Sequence, residues 1–238
     1  GNGSNLLVSD EGFRGMIIQI GKNFQEISVQ DTVIEVQAGA LLSRTARAAW
    51  NAGLTGFEFA AGIPGTTGGA VAMNAGAYGG EMKQIVESAE VLTSEGEVLN
   101  LTNEELGMGY RTSVIAKNDY VALSAVLKLE KGDRQEIRAY MEDLKERRVT
   151  KQPLEFGSAG STFKRPEGYF AGKLIQDSGM QGYRVGDAQV SEKHCGFVIN
   201  RGNATAAQVC ELMQEVVKKV KETSGVTLEP EVKRIGEF

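Results

Sequence analysis

The sequence is poor in the residues that build metal centres and disulfide frameworks. Among 238 residues there are two cysteines, Cys195 and Cys210, and one histidine, His194. That set cannot assemble a typical structural zinc site, and the expected metal complement is none. A disulfide between the two cysteines stays open, but so few cysteines in a chain of this size point to a reducing, cytoplasmic setting. Basic excess is also missing. The formal net charge is −5, which offers no field for a nucleic-acid backbone. No apolar run approaches membrane-spanning length, so no membrane partner is expected. No signal peptide is visible either, although the chain begins inside a motif and anything upstream lies outside the sequence.

What the chain does have is glycine, 30 residues of it. Seven fall among the nineteen positions of GIPGTTGGAVAMNAGAYGG, residues 62–80. The stretch carries no charge, so it is not a solvated linker. Its glycines free the backbone to reach positive φ and to approach a ligand with no Cβ in the way. At Gly68 a side chain is therefore expected to block a ligand while leaving the fold intact. Successive N–H groups in such turns can point inward and bind an anion. A second piece of the same chemistry, GNGSN, opens the chain at Gly1–Asn5. Two glycine-rich loops bearing hydroxyls and amides suit a diphosphate, though such turns also serve as plain tight connections. Basic residues cluster locally in KERRVTK (145–151) and at Lys164–Arg165, a pattern better matched to a phosphorylated small molecule than to a polymer.

With 41% hydrophobic and 24% charged residues, the chain can bury the core of one large or two modest domains. Short β-branched runs predict strands at Met16–Ile20, Glu26–Val29 and Val33–Gln37. A helix is expected over Leu41–Ala52, stopped by Gly53. Further strands are expected at Ile85–Thr93, Val98–Asn100 and Val121–Glu130, the first two joined by a turn at Ser94–Glu97. A helix over Arg134–Val149 presents Ile137, Tyr140, Met141 and Leu144 on one face. Pro153 disfavours helix at Gln152 and marks the best domain boundary. A helical segment near Ala171–Ser178 follows. The clearest element is a helix over Thr205–Thr223, with Val209, Leu212, Met213, Val216, Val217 and Val220 at helical spacing and Gly225 as its end. The tail, Val226–Phe238, reads as a strand-like return.

Three further segments carry candidate chemistry: GYRTS (109–113), GSAGSTFKRP (157–166) and LEPEVK (228–233). Singly, each has an ordinary reading. Tyr110-Arg111 could be a core tyrosine beside a surface arginine, Ser161 a turn cap and Glu231 a solvated residue. Together, and in this order with GNGSNLLVSD, GIPGTTGGAVAMNAGAYG and KQPLEFGSAGSTFKRP, they resemble one family closely: UDP-N-acetylenolpyruvoylglucosamine reductase, a flavoenzyme of peptidoglycan precursor synthesis. The long glycine motif points to the wider vanillyl-alcohol-oxidase-like FAD proteins. The segment around Ser161 is much narrower and selects the reductase.

The resemblance implies an α+β, two-domain flavoenzyme. Its FAD-binding domain would occupy 1–152, its substrate domain 153–227, and residues 228–238 would return to the active site. FAD is the implied cofactor and NADPH the co-substrate. The implied ligand set for FAD is Gly1, Asn2, Gly3, Ser4, Asn5, Gly62, Gly65, Thr66, Gly68, Gly69, Asn74, Gly76 and Ala77. Hydride from NADPH passes through the flavin to the enolpyruvyl double bond of a UDP-sugar. Negative charge then develops at the carbon next to the carboxylate and needs electrostatic stabilisation. By resemblance Arg111 and Glu231 sit at that carboxylate. Arginine suits bidentate recognition of it, whereas a glutamate works there protonated, or bridged through Arg111 or water. Ser161 matches the proton donor. Lys151 matches a lysine near the substrate diphosphate, with Tyr110, Lys164, Arg165 and His194 as further substrate contacts. Arg147 and Arg148 read as solubilising residues.

Two departures bear on these expectations. The interval from Arg111 to Lys151 leaves no room for the tyrosine-bearing loop that one branch of the family folds over the substrate, so the chain resembles the loopless branch. Family members also carry a small subdomain before GNGSN that supplies one wall of the FAD site. Starting within that motif, this polypeptide is expected to lack the wall and to bind FAD weakly. The alternatives are another FAD oxidoreductase of the same fold and a nucleotide-binding fragment without catalysis. Oligomeric state is left open.

Overall fold

The computed structural model describes residues 1–238. The chain forms two compact units. One comprises Gly1–Asn2 and Ile18–Arg148, the other Gly3–Ile17 and Val149–Phe238. The division after Arg148 falls four residues before the expected boundary at 152/153, inside the last turn of helix Arg134–Lys151, which ends ahead of Pro153. The assignment of residues 3–17 differs from the sequence-based division. Strand Leu6–Val8 pairs in parallel with Lys233–Ile235. Asp10 also accepts the Ala206 and Ala207 N–H groups at 2.7 and 3.0 Å. Those partners are distant in sequence, so no local signal announces them.

The first unit is built on an antiparallel five-stranded sheet. Its spatial order is Ile27–Gln30, Val33–Gln37, Val121–Lys128, Val86–Leu92, Val98–Thr102. Alternation along Val33–Gln37 buries Ile34 and Val36, as a one-faced strand requires. Helix Leu42–Asn51 packs Leu42, Ala46 and Ala49 into the same core, with Leu54, Phe57, Val71, Met82, Val91 and Leu127. Helix Arg134–Lys151 buries only Ile137 and Leu144. Tyr140, expected on that face, is 45% exposed, because it stands at the edge of a narrow apolar stripe. Asp133 accepts the Gln135 and Glu136 N–H groups and fixes the start of this helix.

Met16–Ile20, read as a strand, makes no ladder. Met16 and Ile18 are 83% and 79% exposed. β-Propensity reports how well a side chain suits a half-buried pleat, and here no neighbouring strand supplies one.

In the second unit an antiparallel sheet runs in the order Gly157–Ser161, Phe197–Asn200, Ala188–Val190, Arg184–Val185. Helix Ala206–Ser224 covers it, burying Leu212, Met213, Val216 and Val220. Both ends of that helix are sealed. Thr205 and Gln208 form a reciprocal capping box, and Gly225 closes the C-terminus at φ 74°. Phe163, Ile175, Val190 and Leu228 complete this core. No helix is long and apolar enough to cross a membrane, and no three His, Cys, Asp or Glu side chains are grouped to hold a metal ion.

Candidate active site

In the first unit the glycine-rich stretch wraps the sheet's end. Thr67 and Gly68 donate their N–H groups to the Ala40 and Ala38 carbonyls at 2.9 Å each. A Cβ at Gly68 would lie 2.6 Å from the Ala38 Cβ and 3.2 Å from its backbone. Gly68 is thus glycine because the chain packs there, and a larger residue is expected to break the fold before it blocks a ligand. Farther on, Gly76–Ala77 and Gly80–Glu81 form a tight hairpin whose loop, Tyr78 and Gly79, has φ of 53° and 89°. Two positive φ values in a two-residue loop match the twist of a hairpin.

Asn74 ties this stretch to the Tyr110–Arg111 turn. It is 1% exposed. Its amide donates to Glu81 Oε2 at 3.0 Å and to the Gly109 carbonyl at 3.1 Å, while its oxygen accepts the Lys83 N–H at 2.8 Å. Named among the cofactor residues from the sequence, Asn74 has both amide hydrogens engaged within the protein and serves as a strut. Ser113 adds a buried bond from its hydroxyl to the Ala72 carbonyl at 2.7 Å. Between them, Gly109 and Thr112 pair across a tight turn that holds Arg111 at φ 54°. A positive φ at a non-glycine residue is a strained arrangement that surrounding structure must enforce. Arg111 Nη2 reaches the Gly76 carbonyl at 3.5 Å, and its guanidinium lies 5.1 Å from the Tyr110 ring centroid.

In the second unit, Ser161 ends the strand Gly157–Ser161 at a register shift, just after Gly160 at φ 80°. A bulge of this kind re-aims a side chain, and Ser161 is exposed. The next residue, Thr162, anchors the surroundings. Its hydroxyl accepts the Val198 N–H at 2.9 Å and its carbonyl accepts the Glu231 N–H at 2.9 Å. Asn5 then donates its amide to the Glu231 carbonyl at 3.0 Å and accepts the Lys233 N–H at 2.9 Å. Ser161, Glu231 and Asn5 are therefore brought onto neighbouring backbone from three distant parts of the sequence. Lys164 forms an ion pair with Glu229, which offsets the charge expected to meet substrate. Arg165 stacks 3.9 Å over Phe170 and donates to the Tyr169 carbonyl.

His194 sits beside the same strand pair. Its ring meets Phe197, the register partner of Ser161, edge-on at 5.0 Å. Its Nδ1 accepts the Gly196 N–H at 3.1 Å, so the neutral ring carries its proton on Nε2. Burial pushes its pKa below the ordinary 6.5; an interaction with its own backbone opposes this and the Lys151 charge adds to it. Because the folded protein binds this proton less readily than the unfolded chain, protonation costs folding free energy. Stability is expected to fall as pH drops below 6.5 and to stay level above it. As the chain's single histidine, His194 gives one resolved imidazole titration by proton NMR. The midpoint should lie below 6.5, and His194→Gln should flatten the acid limb of a thermal-unfolding series.

Comparison with known proteins settles the family. Residues 152–235 match the profile described as UDP-N-acetylenolpyruvoylglucosamine reductase, C-terminal domain, and residues 1–102 match an FAD binding domain. Reductases of that name from Agathobacter rectalis and Clostridioides difficile are 55% and 54% identical, across 100% of this chain and 80% and 78% of theirs. The chain belongs to the UDP-N-acetylenolpyruvoylglucosamine reductase family. The crystal structure of the Thermus caldophilus reductase agrees, with a TM-score of 0.86 at 39% identity over 99% of this chain and 84% of that one.

The reductase's first unit suits FAD by its donor chemistry. Residues 62–80 contain no carboxylate, and Glu81, the next residue, is turned to Asn74, so that backbone N–H groups and the Thr66 and Thr67 hydroxyls dominate a stretch free of competing negative charge. Thr66 makes no side-chain cap on the helix Thr67–Ala72, and a Cβ at Gly1 would stand 3.2 Å from its hydroxyl. Of the two arginines that the sequence reads as solubilising, one is drawn partly out of water. Arg148 is half-buried and lies along Gly62, whereas its neighbour Arg147 is exposed and paired with Asp143 at 2.8 Å. Two adjacent arginines look alike in sequence, and only the burial of one face of the helix separates them.

Proposed function

We propose that this chain catalyses the NADPH-dependent reduction of UDP-N-acetylglucosamine enolpyruvate to UDP-N-acetylmuramate, in the cytoplasm, as a step of peptidoglycan precursor synthesis. The observation that carries the reading is the bond from Glu231 N–H to the Thr162 carbonyl, which sets Glu231 next to Ser161 within the segment matched by the reductase profile. Gly1–Asn5, Gly62, Gly65, Thr66, Gly69, Gly76 and Ala77 would hold FAD. When bound, FAD supplies the relay of a hydride between NADPH and the enolpyruvyl double bond.

The protein's own groups manage the charge and the proton. Arg111, pinned in its turn, recognises the substrate carboxylate through its planar guanidinium. Its contacts with the Gly76 carbonyl and the Tyr110 ring restrain the guanidinium, so that part of its orientation is set before substrate arrives. Glu231 works at the same carboxylate as negative charge moves onto it. Ser161, carried on a bulge, delivers a proton to the carbon beside the carboxylate. Lys151 holds the substrate diphosphate, and the neutral His194, a donor through Nε2, is a further substrate contact.

The test is NADPH consumption that depends on the enolpyruvyl UDP-sugar. Turnover with NADPH and oxygen alone would support a different oxidoreductase of this fold. Arg111→Ala is expected to raise KM by about ten- to hundredfold and to lower kcat as well, since it removes a charged contact present in the ground state. Glu231→Gln keeps shape and hydrogen bonding, so kcat should fall with KM little changed. Equal loss of KM and kcat in both variants would remove the distinction drawn between them.

A further inference from the structure

Near its end, helix Arg134–Lys151 carries a carbonyl whose ladder partner the sequence removes. The N–H that would continue the ladder from Val149 belongs to residue 153, and Pro153 has none. The donor comes from another part of the chain. Lys193 Nζ reaches the Val149 carbonyl at 2.8 Å and stands 3.8 Å from Glu155 Oε2, two residues past the proline. A cation at this position also meets the negative end of the helix dipole. The backbone that presents Lys193 is itself fixed. Ser191 is 1% exposed, and its hydroxyl accepts the Lys193 and His194 N–H groups at 3.2 Å each. The His194 ring then fills space that two glycines leave. A Cβ at Gly196 would lie 2.9 Å from the ring's Cε1, and one at Gly172 would lie 3.4 Å from the same atom.

One short turn, Ser191–His194, thus grips the helix end with one side chain and offers an imidazole N–H with the next. Lys151 is the last residue of the helix, two beyond Val149, where fraying acts first. Its charge acts on the His194 ring. Burial is the main cause of the lowered His194 pKa, the residue's own backbone bond opposes it, and Lys151 adds to it. We propose that Lys193 is a positioning residue for substrate binding: by holding the Val149 carbonyl it keeps the last turn of the helix wound and Lys151 beside His194. This rests on the reading above of Lys151 and His194 as substrate contacts. The two residues come from segments more than forty positions apart, and the Lys193 side chain is the tie that links their backbones.

The test uses the full chain and compares Lys193→Met, Lys193→Arg, Lys151→Met and the double variant Lys193→Met/Lys151→Met. The readouts are the proton-NMR titration of His194, the chain's single histidine, KM and kcat with the enolpyruvyl UDP-sugar, and the unfolding temperature. Lys193→Met is expected to move the His194 midpoint up toward 6.5, because Lys151 drifts from the ring. It should raise KM by about three- to tenfold with kcat nearly unchanged. Lys193→Arg can still donate to the Val149 carbonyl and should restore both. The unfolding temperature should fall by only about 2–4 °C, the worth of one contact at a helix end in a chain of this size. In the Lys151→Met background, Lys193→Met should move neither the midpoint nor KM, since its effect passes through Lys151. An equal shift of the midpoint in both backgrounds would show the Lys193 charge acting directly on the ring and would overturn the positioning role. So would an unchanged KM in Lys193→Met beside a raised KM in Lys151→Met. A wild-type KM in Lys151→Met would instead overturn the reading of Lys151 as a substrate contact. The titration needs no substrate, so it still decides whether Lys193 places Lys151.

Discussion

Ser161→Ala is expected to leave reduction of the flavin by NADPH nearly unchanged and to slow its reoxidation by the enolpyruvyl substrate by about 10²–10⁴-fold, the usual contribution of a positioned acid. The geometry argues for a specific defect. Ser161 is exposed at the end of its strand, and the contacts that hold the region together belong to its neighbour: the Thr162 hydroxyl and carbonyl anchor Val198 and Glu231. Removing the Ser161 hydroxyl therefore takes away a proton source and leaves the scaffold intact. Rapid-mixing absorbance separates the two half-reactions. An oxidative half-reaction at the wild-type rate in the alanine variant would sink the role. Thr162→Val is a useful contrast, because it breaks the anchor and should damage stability and both half-reactions together.

Gly68→Val is expected to destabilise the first unit by about 3 kcal/mol or more, the upper end of overpacking. The obstruction is backbone as well as side chain: Ala38 Cα and its carbonyl oxygen both lie 3.2 Å from the new Cβ, and Ala38 Cβ lies at 2.6 Å. The same carbonyl accepts the Gly68 N–H, so the two segments cannot separate without breaking that bond. In a chain of this size the cost corresponds to a fall in unfolding temperature of roughly 6–12 °C. Gly69→Ala is the control. Its Cβ would meet only Thr66 Oγ1, at an ordinary 3.7 Å, and the FAD-free protein should unfold at the wild-type temperature. Flavin loss in Gly68→Val without any loss of stability would restore the simpler view that this glycine only clears room for a ligand.

Local signals were legible where the physics is local. The strand Val33–Gln37 follows from alternation, and the helix Ala206–Ser224 from spacing, a threonine cap and a glycine stop. The family could be read from the order of five short motifs, because each keeps residue types that a diphosphate, a carboxylate or a proton transfer demands. The strand Gly157–Ser161 was not legible as a strand. Glycine, serine and alanine carry no β-propensity, and its pairing with Phe197–Asn200 comes from the sheet.

The amino-acid sequence by itself determined the chemistry available: glycines for close approach, Arg111 and Glu231 for a carboxylate, Ser161 for a proton, and too few cysteines and histidines for a typical structural zinc site. Tertiary structure alone decided which groups are engaged and which are offered. Asn74 became a strut because Glu81, Gly109 and Lys83 surround it. Residues 3–17 joined the second unit because Lys233–Ile235 and the start of helix Ala206–Ser224 supply their partners. Arg147 and Arg148, identical in type and adjacent in sequence, parted because one faces water and Asp143 while the other lies against Gly62. Whether a polar group is satisfied depends on atoms that reach it from far along the chain, and no local pattern records them.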